Sequence, residues 1–314
     1  MQTKTGAFLI VAIFAVFLSC RHIEVAGNDD TQFARQFADA AELAGQDISG
    51  EQAAGAAGAA GRNIAGAVNA PPQEVIRNAA EEMTPEQKYF IGRAVAANIL
   101  ARYRIWNGDP ALTAYLNKIC MAITVNSPGP DLFNGYRVAI LDTGGIKSFA
   151  TPGGHIFLSK GLVSAALSED ALAGLIAHEI AHIQLQHGIR AVTGIRITEI
   201  NAGSCPDEFS GIFGKAVGEI VNTLNKGYSQ AQEFEADNLA LSLLASAGYS
   251  PLGLLEVLKE LENIRSAHPE DFCSIHPSPA RRIANIQRYI GNFTVTDTRS
   301  YRQERFNMMM RNLQ

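Results

Sequence analysis

Apolar positions along this chain fall into three regimes, and each predicts a different kind of structure. Near the start, Lys4 precedes an uninterrupted apolar run from Ala7 to Leu18, too short for a comfortable membrane span but of the length of a secretory signal core. Bulky apolar residues then nearly vanish: Glu51 to Gly61 is almost all alanine and glycine, which cannot bury a core and reads as a flexible spacer with some helical tendency. Further on, helical and strand periods return. They predict helices near 72–105 and 109–124, three short strands between 135 and 160, and a helix opening at Ser168. A connector follows over about 192–226, then helices at 229–247, 251–266 and 278–290.

This order implies an α+β fold, mainly helical with a small β-sheet. The expected organisation is a leader over 1–20, a spacer over 21–71, one domain over 72–292 and a short C-terminal tail over 293–314, where packing and fraying both fit. The connector, with Gly211, Gly214 and Gly218, suggests a lid or helical flap.

The chemistry sits in the helix that opens at Ser168. This serine is a suitable N-cap, Glu169 and Asp170 favour the first turn, and Ala171 to Ala177 is apolar without a proline. His178-Glu179-Ile180-Ala181-His182 follows, and Gly188 is a plausible stop. Residues four apart share a helix face, so both imidazoles can bind one metal ion while Glu179 reaches the water beside it. The apolar Ile180, Ile183 and Leu185 keep this helix buried.

Zinc needs a third protein ligand and an open fourth position. Extending the motif to a histidine at 188 fails, because that residue is Gly188 and His187 is off by one. The alternative is a glutamate from a later helix. Glu233 and Asp237 are again four apart, so Glu233 would bind the metal and Asp237 would accept the second ring N–H of a ligating histidine. Glu235 points elsewhere on that helix, toward solvent or an ion pair.

Taken in order, these pieces resemble a known family. They are Glu86–Ile99 with Gly92, Thr151-Pro152-Gly153-Gly154-His155-Ile156-Phe157, His178-Glu179-x-x-His182, Glu233-x-x-x-Asp237, and His276-Pro277 with Arg282. The chain is similar over about residues 80–290 to gluzincin metallopeptidases of the HtpX, CAAX-prenyl-protease and Oma type, with a layout like the periplasmic lipoprotein proteases of the LoiP and BepA type. Lys147-Ser148-Phe149-Ala150 and Ser229-Gln230 depart from the common family pattern without touching a metal ligand. The resemblance implies a zincin-like domain with one Zn2+, ligated by His178, His182 and Glu233, with Glu179 as general base. It further implies that His276 and Arg282 act beside the zinc. From the residues alone, His276-Pro277 is equally a turn that opens the last helix.

Gly154, His155, Ile156 and Phe157 form a strand that can add an extended peptide substrate at its edge, and the same residues suit an ordinary edge strand. The resemblance implies an endopeptidase acting on misfolded or misassembled cell-envelope proteins. A zinc-bound chaperone or assembly factor with latent peptidase activity, blocked by His276, is the alternative.

Charge and cysteine content narrow the partners. A net charge of −5 without clustered lysine and arginine argues against nucleic acid. Phe17-Leu18-Ser19-Cys20 ends the apolar run as a lipobox-like sequence, so Cys20 is a candidate for lipid attachment, against cleavage nearer Ala26 or an uncleaved anchor. Lipidation would tether an exported enzyme to a bacterial membrane surface. In that compartment Cys205 and Cys273, both in loop-like sequence, are the expected disulfide pair, with Cys120 inside a helix.

Overall fold

A computed structural model describes residues 85–127, 129, 132–192, 206–267, 278–293 and 299–313. The leader, Cys20, the spacer, His276, Cys205 and Cys273 lie outside the described residues. The chain divides into two compact units, one comprising residues 1–81 and 193–216, the other 82–192 and 217–314. Every element discussed below belongs to the second unit, apart from the first part of one helix.

That unit opens with α1 (Pro85–Leu100) and α2 (Pro110–Val125), the latter capped by Asp109, whose side chain accepts from the backbone N–H groups of Ala111 and Leu112. Strands β1 (Arg137–Leu141), β2 (Ser148–Ala150) and β3 (His155–Ser159) follow, then α3 (Lys160–Ser164), α4 (Glu169–Gln184) and α5 (His187–Val192). Helix α6 (Pro206–Lys226) occupies most of the connector, with residues 206–216 assigned to the first unit and 217–226 to the second. The remainder comprises α7 (Gln230–Ser246), α8 (Leu252–Ala267), α9 (Pro279–Ile286) and α10 (Arg299–Met309). Among the described residues no helix is long and apolar enough to cross a membrane.

The sheet order is β1-β3-β2. Strand β3 runs parallel to β1, with Ala139 opposite Phe157, and antiparallel to β2, with Phe149 opposite Phe157. This corrects one expectation. The strand containing His155, Ile156 and Phe157 is central, with a neighbour along each side, so it is not the edge that could receive a peptide. Strand β2 is an edge. Alternating polarity specifies the face of a strand and not its neighbours, and three residues are too few for β2 to reveal its place. His155 is structural: its Nδ1 lies 3.0 Å from Thr151 Oγ1 and its ring stacks on Tyr89 at 5.7 Å. Burial, then Arg93 and Arg137, push its pKa down to about 4, so it is neutral at pH 7.

The core explains why the motif helix is rigid. Every residue of α4 from Glu169 to Ile183 is buried, an all-round burial typical of a helix at the centre of a domain. Leu116 and Ile119 of α2, Ile156 and Leu158 of β3, Leu241 and Leu244 of α7, and Leu254 and Leu258 of α8 share one cluster with its Leu172 and Ile176. Helix α8 approaches closely because Gly174 faces it: a Cβ there would lie 2.8 Å from the backbone of Leu254.

Ser168 caps α4 as expected, accepting from the Ala171 N–H at 3.1 Å. The helix stops earlier than Gly188: Leu185 is its C-cap, and Gln186, with φ of 57°, turns the chain into α5. The acids of its first turn do more than favour the helix dipole. Glu169 pairs with Arg305 of α10 and accepts from the Tyr115 hydroxyl at 2.6 Å, while Asp170 lies 3.2 Å from Arg302 and accepts from the Ser250 N–H at 3.0 Å. Phe306 and Met310 are buried beside them, so of packing and fraying the stretch after residue 298 shows packing.

Candidate metal centre

Two helices supply the site. Helix α4 carries His178, Glu179 and His182 on adjoining positions, all at most 4% exposed, and α7 carries Glu233 and Asp237 one turn apart, both fully buried. Helix α7 is fixed in register at its start by a capping box, in which Ser229 and Gln232 each satisfy the other's backbone N–H. Glu233 comes immediately after that box, so the cap and the candidate ligand share one helical turn.

The three expected ligands converge. His178 Nε2 and His182 Nε2 are 3.0 Å apart, and each is 3.5 Å from a Glu233 carboxylate oxygen. Tetrahedral zinc with bonds of about 2.0–2.1 Å places its donors roughly 3.3–3.4 Å apart, close to the spacing of the two nitrogens from each other and of each from one oxygen of the Glu233 carboxylate. Charge supports the fit. Three buried carboxylates, Glu179, Glu233 and Asp237, face one buried guanidinium, Arg282, a formal excess of two negative charges that a divalent cation would balance. His178 registers the same field: burial and Arg282 oppose its protonation, but Asp237 and Glu233 outweigh them and raise its pKa to about 9.

Arg282 of α9 is 5% exposed and grips Asp237 bidentately, Nε to Oδ2 at 2.9 Å and Nη2 to Oδ1 at 2.6 Å. Burial alone would raise the Asp237 carboxyl, yet Arg282 and His178 hold it below the ordinary range. Asp237 Oδ1 in turn lies 3.0 Å from His178 Nδ1. Arg282 also pairs with Glu233 at 3.4 Å. It therefore contacts Asp237, Glu233 and His178 as well as lining the cleft beside Glu179. His276, expected nearby, lies outside the described residues.

Two residues, His187 and Tyr228, escaped the sequence reading, and Glu235 was read only in part. His187, which received no role, is fully buried with Nδ1 2.9 Å from His182 Nδ1 and Nε2 3.2 Å from Glu235. Burial lowers its pKa despite the Glu235 carboxylate, which favours the neutral ring. Glu235 is in an ion pair as anticipated, with Arg190 at 3.6 Å, but it also receives His187. Tyr228 stacks on His182 at 4.3 Å with planes 17° apart, and its hydroxyl pKa is raised by burial and by Glu179 and Glu233. The spacing from His182 to His187 was visible, but its meaning depends on the turn at Gln186.

A cleft beside Glu179 is lined by Lys147, Ser148, Leu175, His178, Leu258 and Arg282. Lys147 and Ser148, at the start of strand β2, therefore border the cleft beside the candidate metal centre.

Comparisons with known proteins point to a peptidase family. The chain is 26% identical over 197 residues to the beta-barrel assembly-enhancing protease of Escherichia coli, covering 57% of this chain and 39% of that protein. It is 27% identical over 146 residues to metalloprotease LoiP of the same organism, covering 45% and 58%. With the mitochondrial metalloendopeptidase OMA1 of Bos taurus it shares 25% over 177 residues, covering 52% and 34%. The chain thus spans between a third and three-fifths of the length of these relatives. Residues 110–290, which run from the start of α2 through α9 and include both histidines, Glu179, Glu233, Asp237 and Arg282, match peptidase family M48, and the chain belongs to that family.

Proposed function

We propose that this protein is a zinc-dependent endopeptidase of the bacterial cell envelope, exported and tethered through a lipid on Cys20, which removes misfolded or misassembled envelope proteins. The observation that carries the reading is the buried triangle of His178, His182 and Glu233 with Glu179 at the next position on the same helix. Similarity to a beta-barrel assembly-enhancing protease and to metalloprotease LoiP supports the envelope setting and polypeptide substrates.

In this reading His178, His182 and Glu233 hold the ion. When bound, zinc supplies a Lewis acid that acidifies water near neutral pH and polarises the scissile carbonyl. Glu179 takes the proton of the attacking water and delivers a proton to the leaving amine. Arg282 and Asp237 keep His178 oriented, with its Nδ1 proton directed at Asp237. An extended substrate lies along edge strand β2, held by main-chain hydrogen bonds, with a side chain entering the cleft that contains Leu175 and Leu258.

The test is casein cleavage by the purified protein beside Glu179→Gln, with zinc measured in both. Cleavage by the wild type, lost in the mutant while zinc remains at one per chain, is the expected result. Zinc bound without cleavage by the wild type would instead favour the latent chaperone reading.

A further inference from the structure

His187 is a fully buried imidazole with a partner at each nitrogen. Two facing ring nitrogens 2.9 Å apart share one proton, and the rest of the site decides which ring carries it. His182 directs Nε2 toward His178 and Glu233, so that nitrogen needs a free lone pair to ligate a metal and the His182 proton resides on Nδ1. His187 Nδ1 then accepts, the His187 proton resides on Nε2, and Glu235 accepts it at 3.2 Å. Each donor in this arrangement meets an acceptor.

We propose that His187 is a positioning residue for the metal centre. The relay from His182 through His187 to Glu235 fixes the tautomer and ring orientation of the second metal ligand and strengthens it as a donor. The proposal rests on the reading of this site as a zinc centre. Local structure is consistent with a specific role. Gln186 takes a left-handed conformation that is disfavoured for a residue with a side chain, and after that turn His187 Nδ1 lies 2.9 Å from His182 Nδ1. Tyr228 stacks on one face of the His182 ring, and Arg190 pairs with Glu235 at 3.6 Å.

The experiment measures Zn2+ affinity of the full chain by competition with a chromogenic chelator, together with the visible spectrum of the Co2+-loaded protein. His187→Ala is expected to weaken zinc binding about 10–100-fold and to shift the cobalt bands, since an outer partner of a ligating histidine is typically worth that much. His187→Asn retains an acceptor for the His182 proton but not the link to Glu235, and restores most of the loss. Glu235→Gln weakens binding severalfold in the wild type and adds nothing in His187→Asn. Because Glu235 is half-exposed, this substitution also tests the relay if His187→Ala does not fold. Wild-type affinity and an unchanged cobalt spectrum in His187→Ala, or in Glu235→Gln should the former not fold, overturn the relay while leaving the zinc site intact. A wild type that binds no zinc overturns both the site and the relay.

Discussion

The two histidines of the motif are held by opposite kinds of support. His178 leans on Asp237, which is locked by Arg282, and all three lie within the core. His182 leans on a neutral buried histidine, and the charge behind that histidine, Glu235, is about half-exposed at 54%. One side concentrates ionic groups where water cannot screen them, and the other passes its charge to the surface. The buried side should therefore govern whether the domain folds, and the relayed side how strongly an already folded site binds its ion.

The largest effect is expected from breaking the buried side. Asp237→Ala leaves Arg282 without its bidentate partner, and urea unfolding of the metal-free protein should show a loss of about 3–5 kcal/mol. A titration follows from the same contacts. The folded-state pKa of His178, about 9, lies above the ordinary 6.5, so its contribution to stability is fully present below pH 6.5 and is lost as pH rises through 9. Thermal melts in the presence of a chelator should fall over that window, and the fall should shrink in a folded Asp237→Asn protein, where Glu233 alone still favours the charged ring. Gly174→Ala, one turn before His178, forces a methyl against the backbone of Leu254 and should cost about 1–3 kcal/mol without changing the ligand set. The smallest effect belongs to the relayed side: Glu235→Gln should alter unfolding free energy by less than about 1 kcal/mol. A loss for Glu235→Gln equal to that of Asp237→Ala would end the distinction between the two sides.

Where residues act through spacing on a single element, the sequence was informative. His178, Glu179 and His182 on one helix, Glu233 and Asp237 on another, and the Ser168 cap all depend on the 3.6-residue period, and the structure brings these ligands together as expected. Where the outcome depends on how elements pair, the sequence was silent. The central place of β3 follows from its parallel alignment with β1, which leaves no trace in alternation. His187 looked one position out of register because the helix was read as continuous, and a single left-handed residue changes where its ring goes. Packing and fraying both fitted the C-terminal tail because the partners of Arg302 and Arg305 lie far away in sequence.

That last distance has a consequence for the order in which the domain can mature. Arg305 lies 136 residues beyond Glu169, and all the described metal-facing side chains come before it. A chain emerging vectorially from a ribosome or a translocation channel thus presents its entire ligand set while the start of the motif helix still has two carboxylates waiting for their arginines. Removal of α10 would leave the described candidate ligands in place and take away the arginine partners of two buried carboxylates, Glu169 and Asp170, at the start of the helix that carries His178 and His182.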